Sequence, residues 1–191
     1  MAITKKRKKF FDVEIPIIKK PTQLYAFDIS ELEGRDLKYD LTRILRGKNI
    51  LLRSKVIIKG ENASAIPMEL EIMPSFLRKV VRTGTDYIED SFSAESKDSL
   101  LKIKPLFVTR GRVSRSVKRA LREKAKDELT KYVKSRNSEE IFEEILKNKF
   151  QKELSAKLKK IYPLSFCDIR ILKVEKFLKG KEESVKENKK E

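Results

Sequence analysis

The apolar residues of this chain recur with a period of two up to Thr109 and with a helical period beyond it. Alternation at every second position puts apolar side chains on one face of a strand, whereas a spacing of three to four puts them on one face of a helix. The change therefore predicts a β body followed by a helical segment. Val13, Ile15 and Ile17 alternate after the pair Phe10-Phe11, and further strand-like runs cover Leu24–Ile29, Leu37–Leu41 and Ile50–Ile58. Ile66, Met68, Leu70 and Ile72 form the most regular alternation, and Pro67 marks that strand as an edge or a strand start. Pro74–Arg82 reads as a short helix with proline in its first turn, ended by Thr83-Gly-Thr. Tyr87–Ala94 and Leu100–Val108 are expected as two strands of a hairpin joined through Glu95–Ser99. Six or seven short strands at this spacing suit a barrel or a sandwich.

Beyond Thr109, Ser114 or Ser116 can cap a helix with Val117, Ala120 and Leu121 on one side. The apolar positions drift after Ala125, which predicts a bend or a second docking surface. Asn137-Ser-Glu-Glu140 resembles a capping box, and the apolar series from Ile141 to Ile161 predicts one helix ending at Tyr162-Pro163. Phe166–Val174 alternates again as a final strand. The expected fold is α+β, a six- to seven-stranded core of barrel or sandwich form with flanking amphipathic helices and basic tails. Residues 1–9 form a basic tail, 10–178 a single domain, and 179–191 a Lys/Glu tail without apolar content. Within the domain, 10–109 is mostly β, 114–161 helical and 166–174 the final strand.

Charge narrows the function. Charged residues make up 39% of the chain and the formal net charge is +17, against about 25% charged residues in an ordinary soluble domain. Between Lys102 and Arg136 there are thirteen Lys or Arg and three acids. The densest part, Thr109–Arg122, holds six cations and no acid: Arg110, Arg112, Arg115, Lys118, Arg119 and Arg122. A solvated helix face ordinarily mixes signs for i,i+4 pairing, so an unmixed one points to a polyanion. Arginine grips phosphate with a planar fork, serines at 114 and 116 can donate as well, and Gly111 permits close backbone approach. Nucleic acid is the expected partner. Lys5, Lys6, Arg7, Lys8 and Lys9 are a second expected contact, with Phe10 and Phe11 beside them as candidates for stacking, one of the two being core. Phe92 and Phe107 are expected in the core. The absence of an aromatic ribonucleoprotein signature predicts recognition of phosphate and shape rather than of base sequence.

Other classes are disfavoured. Histidine is absent and Cys167 is the sole cysteine, which excludes an intrachain disulfide and a paired-cysteine zinc site. Cys167 is expected as a small buried hydrophobe. Glu95-Ser-Lys97, with Asp86 and Asp90 upstream, matches the acid-X-Lys pattern of metal-dependent nucleases formally, but a chain this rich in Glu and Lys produces such matches by chance. No phosphate-cradling glycine loop is present. No enzyme activity, cofactor, metal, membrane partner or small-molecule substrate is expected. No run approaches the ~18 apolar residues of a membrane span, and the basic start lacks the apolar stretch of a signal peptide, so the expected location is cytoplasmic.

Several segments in order resemble the archaeal and eukaryotic small-subunit ribosomal protein family called S-one-e, or S-three-a-e. They are Lys5–Pro16 with its aromatic pair, Gly34-Arg35 ahead of Leu37, Ser96–Pro105, Phe107–Arg112, Lys160–Leu164 and Ile169–Lys173. The chain departs from the family in having Phe10-Phe11 where Trp-Tyr is usual, Ser99 in place of a turn glycine, and Arg82-Thr-Gly-Thr in place of a longer basic run. The resemblance implies a β-barrel-like core on the platform of the small subunit near the mRNA exit. It implies rRNA and neighbouring small-subunit ribosomal proteins as partners, with mRNA near the exit as a further candidate, and no cofactor. A free-standing DNA- or chromatin-binding basic protein is the alternative that the same charge pattern allows.

Overall fold

The structure, a computed structural model, describes residues 7–45, 47–60 and 62–178. Nine strands form one mixed sheet among these residues. In chain order they are β1 (Lys9–Ile15), β2 (Lys20–Ala26), β3 (Asp36–Asp40), β4 (Ile50–Lys59), β5 (Asn62–Ile72), β6 (Tyr87–Glu89), β7 (Phe92–Glu95), β8 (Ser99–Thr109) and β9 (Leu164–Phe177). A short helix α1 (Pro74–Val80) follows β5, and α2 (Arg115–Lys134), α3 (Ser138–Leu146) and α4 (Lys149–Leu158) separate β8 from β9. The main path runs β2-β1-β5-β9-β8-β6, with β4 on the other flank of β5, β3 beyond it, and β7 beside β6 on β8.

The α+β class agrees with the sequence reading, but the strand count and the closure do not. No ladder joins β2 or β3 to β6 or β7, so the sheet is open rather than a barrel. The β6 and β7 edge packs against α2 instead, a helix covering unpaired strand edges. The extra strands come from a break near Asp90, because β6 pairs with Leu106–Val108 and β7 with Leu100–Ile103 of β8. Pro105 lies opposite that break, where a strand lacking one N–H can be interrupted without loss.

Pro67 plays a similar part in β5. That strand is central, not an edge: it pairs with β4 along its length, with β1 at Ala63-Ser64 and with β9 at Glu69–Glu71. Pro67 falls between the β1 and β9 contacts. The register against β4 slips between Arg53 and Ser54, so Met68 has no partner there. The slip moves the buried face from Ala63, Ala65 and Pro67 to Leu70 and Ile72, and leaves Ile66 and Met68 half-buried. A one-residue bulge reverses which alternate side chains face the core.

Helix α2 runs without a break from its Ser114 cap, whose Oγ accepts from the Val117 N–H at 3.5 Å. Leu121, Ala125, Leu129 and Val133 are buried at i,i+4 steps in one unbroken helix. Of the bend or second docking surface expected after Ala125 it is the second surface that is found, with Tyr132 packing on Phe150 of α4. α3 begins where expected, with Glu140 accepting from the Asn137 N–H at 3.4 Å. It ends early, because Asn148 adopts the left-handed conformation (φ 56°) and α4 starts afresh at Lys149. α4 packs on β9, α3 on β5, and α2 on α4. Phe107 and Phe142 are the largest fully buried side chains of a core spanning sheet and helices. At the α3–α4 junction the Lys48 ammonium donates to Asn148 Oδ1 and Asp168 Oδ2, both at 2.5 Å. Gln151 Nε2 donates to Asp168 Oδ1 at 3.1 Å, so the helical corner is tied to β9 by polar contacts as well as packing.

Candidate nucleic-acid interface

Strand β8 ends at Thr109, and its last contacts shape the arginine loop that follows. Thr109 N–H donates to the Asp86 carbonyl at 3.0 Å, and Asp86 N–H returns a bond to Thr109 Oγ1 at 3.0 Å. Thr109 Oγ1 donates to the Gly111 carbonyl at 2.7 Å, and the Arg110 N–H reaches the Pro163 carbonyl at 3.3 Å. The Asp86 carboxylate then accepts from the Val113 N–H at 2.7 Å and sits 3.1 Å from Lys118 Nζ. The Val113 bond first, and Lys118 second, hold this carboxyl below the ordinary aspartate range. A β carbon on Gly111 would stand 3.2 Å from the Tyr162 hydroxyl, so the loop passes close under the Tyr162 side chain. Residues 110–114 are thus fixed at both ends and in the middle before any ligand arrives.

Arg110, Arg112, Arg115, Arg119 and Arg122 are exposed on this loop and on the first turns of α2. Among the described residues Arg110, Arg112, Arg115 and Arg122 have no ion-pair partner. Arg119 Nε donates to Glu123 Oε1 at 2.8 Å, an exposed i,i+4 pair of the kind water and salt weaken easily. Lys118 is half-buried and committed to Asp86. Its place is therefore structural as much as cationic, unlike the other five. Lys126, one turn further, lies 5.9 Å from the Phe92 ring centroid. The buried stripe of α2 explains the arrangement on the helix: with Leu121, Ala125, Leu129 and Val133 inward, Arg115, Arg119 and Arg122 fall on the exposed side.

The other expected contact lies at the start of β1. Arg7, Lys8 and Lys9 are exposed and Lys9 already pairs with Ala26 of β2; Lys5 and Lys6 lie outside the described residues. Phe10 is 68% exposed, whereas Phe11 packs on the core. Phe107 is buried and Phe92 half-buried, both against the core. Two aromatics that the sequence reading did not single out, Tyr25 and Phe27, join Phe10. The Phe10 and Tyr25 centroids are 4.9 Å apart, and Lys8 Nζ lies 5.1 Å from the Phe27 centroid. Their signal is the pairing of β1 with β2, which alternation in either strand alone does not reveal.

On the sheet surface away from these sites several charges satisfy one another. Arg170 Nη1 bonds Glu89 at 2.7 Å, Arg53 Nη1 approaches Glu69 at 3.3 Å, and Lys102 stands 3.6 Å from Glu175. The acids singled out by the nuclease pattern do not gather: Asp86 is engaged with Val113 and Lys118, while Glu95 is exposed at the end of β7. No group of three potential metal ligands occurs among the described residues. Cys167 is half-buried, and burial with the neighbouring Asp168 carboxylate pushes its thiol up to about 12, which keeps it protonated and unreactive.

Known proteins bear on this arrangement. The chain is 27% identical over 175 residues to the small ribosomal subunit protein eS1 of Nanoarchaeum equitans, covering 86% of this chain and 87% of that one. It is 27% identical over 155 residues to the protein of the same name in Sulfolobus acidocaldarius, covering 78% and 79%. The Pyrobaculum aerophilum protein of that name is 28% identical over 149 residues, covering 77% and 67%. The Ribosomal S3Ae family matches residues 4–177, from the basic start through the arginine loop to the end of β9. With so nearly the whole of the described chain matched, the protein belongs to the Ribosomal S3Ae family.

Proposed function

We propose that this chain is a structural component of the small ribosomal subunit that binds rRNA by neutralising its phosphates. The observation that carries this reading is the set of four exposed guanidinium groups, Arg110, Arg112, Arg115 and Arg122, with no carboxylate within 4 Å among the described residues, on a loop and helix that Asp86 holds in place. Family membership and the names of the relatives support the ribosomal part of the reading. A held backbone presents these arginines without a cost of ordering the loop, and each planar guanidinium can contact two phosphate oxygens at once. The protein acts by binding, in the cytoplasm as part of the ribosome, with rRNA and neighbouring small-subunit proteins as partners. Its seat is the platform near the mRNA exit, where mRNA is a further partner. The basic start, Lys5, Lys6, Arg7, Lys8 and Lys9, supplies the second set of phosphate contacts.

Two measurements test this. Each duplex phosphate neutralised contributes a log–log salt slope of about −0.9, so the four unpaired arginines should give about −3.6 on small-subunit rRNA fragments, and all six cations about −5. A slope shallower than about −2 contradicts the reading. In sucrose gradients of cell lysate the protein should sediment with small-subunit particles; recovery at the top of the gradient would point to a free-standing nucleic-acid-binding protein instead.

A further inference from the structure

We infer that the outer face of the β1–β2 hairpin is a stacking platform for an unpaired base of single-stranded RNA, an inference that rests on reading the chain as an RNA-binding protein. Phe10 lies directly opposite Tyr25 in the ladder, and Lys8 extends the same face beside Phe27. Phe10 is 68%, Tyr25 50% and Phe27 37% exposed. Single exposed apolar residues need no explanation, but three adjacent rings on one hairpin do. Alternation turns Phe10 outward once Phe11 faces the core, but it does not require an aromatic residue at an outward position. Phe10 and Tyr25 are tilted by 41° at 4.9 Å, which leaves ring surface open to a third flat group. β1 pairs with β5 through Val13 and Glu14, so the β1 edge at the ring-bearing end of the hairpin meets no further strand among the described residues.

The charges around the rings choose among ligands. On the face of the rings Lys8 stands at one end, with Arg35 Nη1 donating to the Tyr25 carbonyl at 3.2 Å and Glu31 accepting from the Phe27 N–H at 2.9 Å close by, while the next rungs carry Asp12 and Glu14, exposed. A nucleotide has an anionic end and a neutral flat end, and this order matches it: phosphate beside Lys8, base over Phe10, and nothing anionic reaching Asp12. An acidic peptide would bring carboxylates across the whole face and meet those two acids. A duplex cannot use the platform, since its bases already stack on one another. Base–aromatic stacking is indifferent to base identity because every base has a π-face, so the platform would grip unpaired RNA without reading it.

The experiment uses the full chain and two fluorescent probes, an oligouridine of about ten nucleotides and a blunt RNA duplex. Phe10→Leu with Tyr25→Leu should weaken oligouridine binding about tenfold and leave duplex binding unchanged. Arg112→Gln with Arg115→Gln should do the reverse, weakening the duplex most. The chain has no tryptophan, so Phe10→Trp is a single reporter whose emission should be quenched on adding oligouridine. Far-ultraviolet circular dichroism checks that each variant is folded. If the leucine pair binds oligouridine as the unmodified protein does, or the tryptophan stays unquenched at saturation, the platform is overturned and the face belongs to a protein neighbour. The phosphate-binding reading survives that result if the arginine pair still loses duplex affinity, and falls on its own if the unmodified protein binds neither probe.

Discussion

Asp168 is 1% exposed, with one carboxylate oxygen on the Lys48 ammonium and the other taking bonds from Gln151 Nε2 and the Ile169 N–H. Removing one partner of such a pair leaves a poorly solvated charge behind, which costs more than the pair itself contributes. Asp168→Ala should lower stability by about 3 kcal/mol, read as a reduced urea midpoint at unchanged slope. Asp86 also faces a lysine, but it serves the arginine loop rather than the core. Asp86→Ala adds one positive charge to the protein, so RNA affinity would rise if charge alone mattered. We expect it to fall, because Val113 and Lys118 lose their anchor; fluorescence anisotropy at fixed salt decides between the two. The same group gives a pH dependence whose sign is fixed. Its folded pKa lies below the ordinary 3.8, so its stabilising contribution is whole above that value and disappears as pH falls through the folded pKa. The loop should therefore loosen only in acid below about pH 4, seen as rising amide exchange at Val113.

At the level of elements, the clearest local signals were those a few residues can carry alone. The Ser114 cap and the Asn137–Glu140 pairing were legible because both partners lie within one turn. The α3–α4 break was not, since Phe150, Leu154 and Leu158 keep the apolar spacing and only the backbone at Asn148 departs. Left-handed backbone costs an ordinary L residue about 1 kcal/mol or more, and glycine nothing. Asn148→Ala and Asn148→Gly both lose the Lys48 bond, so their difference isolates the backbone: the alanine variant should be less stable by about 1 kcal/mol in thermal unfolding. The divided β6–β7 and the slipped register of β5 were illegible for another reason. Each depends on a proline facing a particular place in a partner strand, and pairing is not written in the strand that carries it. The ring cluster on the β1–β2 hairpin was missed likewise, because Tyr25 and Phe10 become neighbours only across the ladder. The arginine segment was legible as a charge pattern; that Lys118 is withdrawn from it by Asp86, thirty-two positions upstream, was not.

Across the whole molecule, charge differs by place: Arg53 and Arg170 on the sheet surface meet acids, whereas Arg110, Arg112, Arg115 and Arg122 have none within 4 Å among the described residues. Equal changes of net charge should therefore have unequal effects. Arg53→Gln should leave rRNA affinity nearly unchanged, while Arg112→Gln should weaken it and make the salt slope shallower by about 0.9. Filter binding over a salt series measures both, and equal losses would mean that only overall charge is sensed. The sheet also has an order of assembly built into it. β9 lies between β5 and β8, so the strands up to residue 72 and those from residue 87 to 109 share no direct ladder until residues 164–177 are in place. A growing polypeptide must carry both halves, and the arginine segment between β8 and β9, through synthesis with the seam of the sheet still vacant. A chain cut short before Leu164 would therefore be left as two sheet fragments with no ladder between them, the second still carrying the cationic helix on β6 and β7.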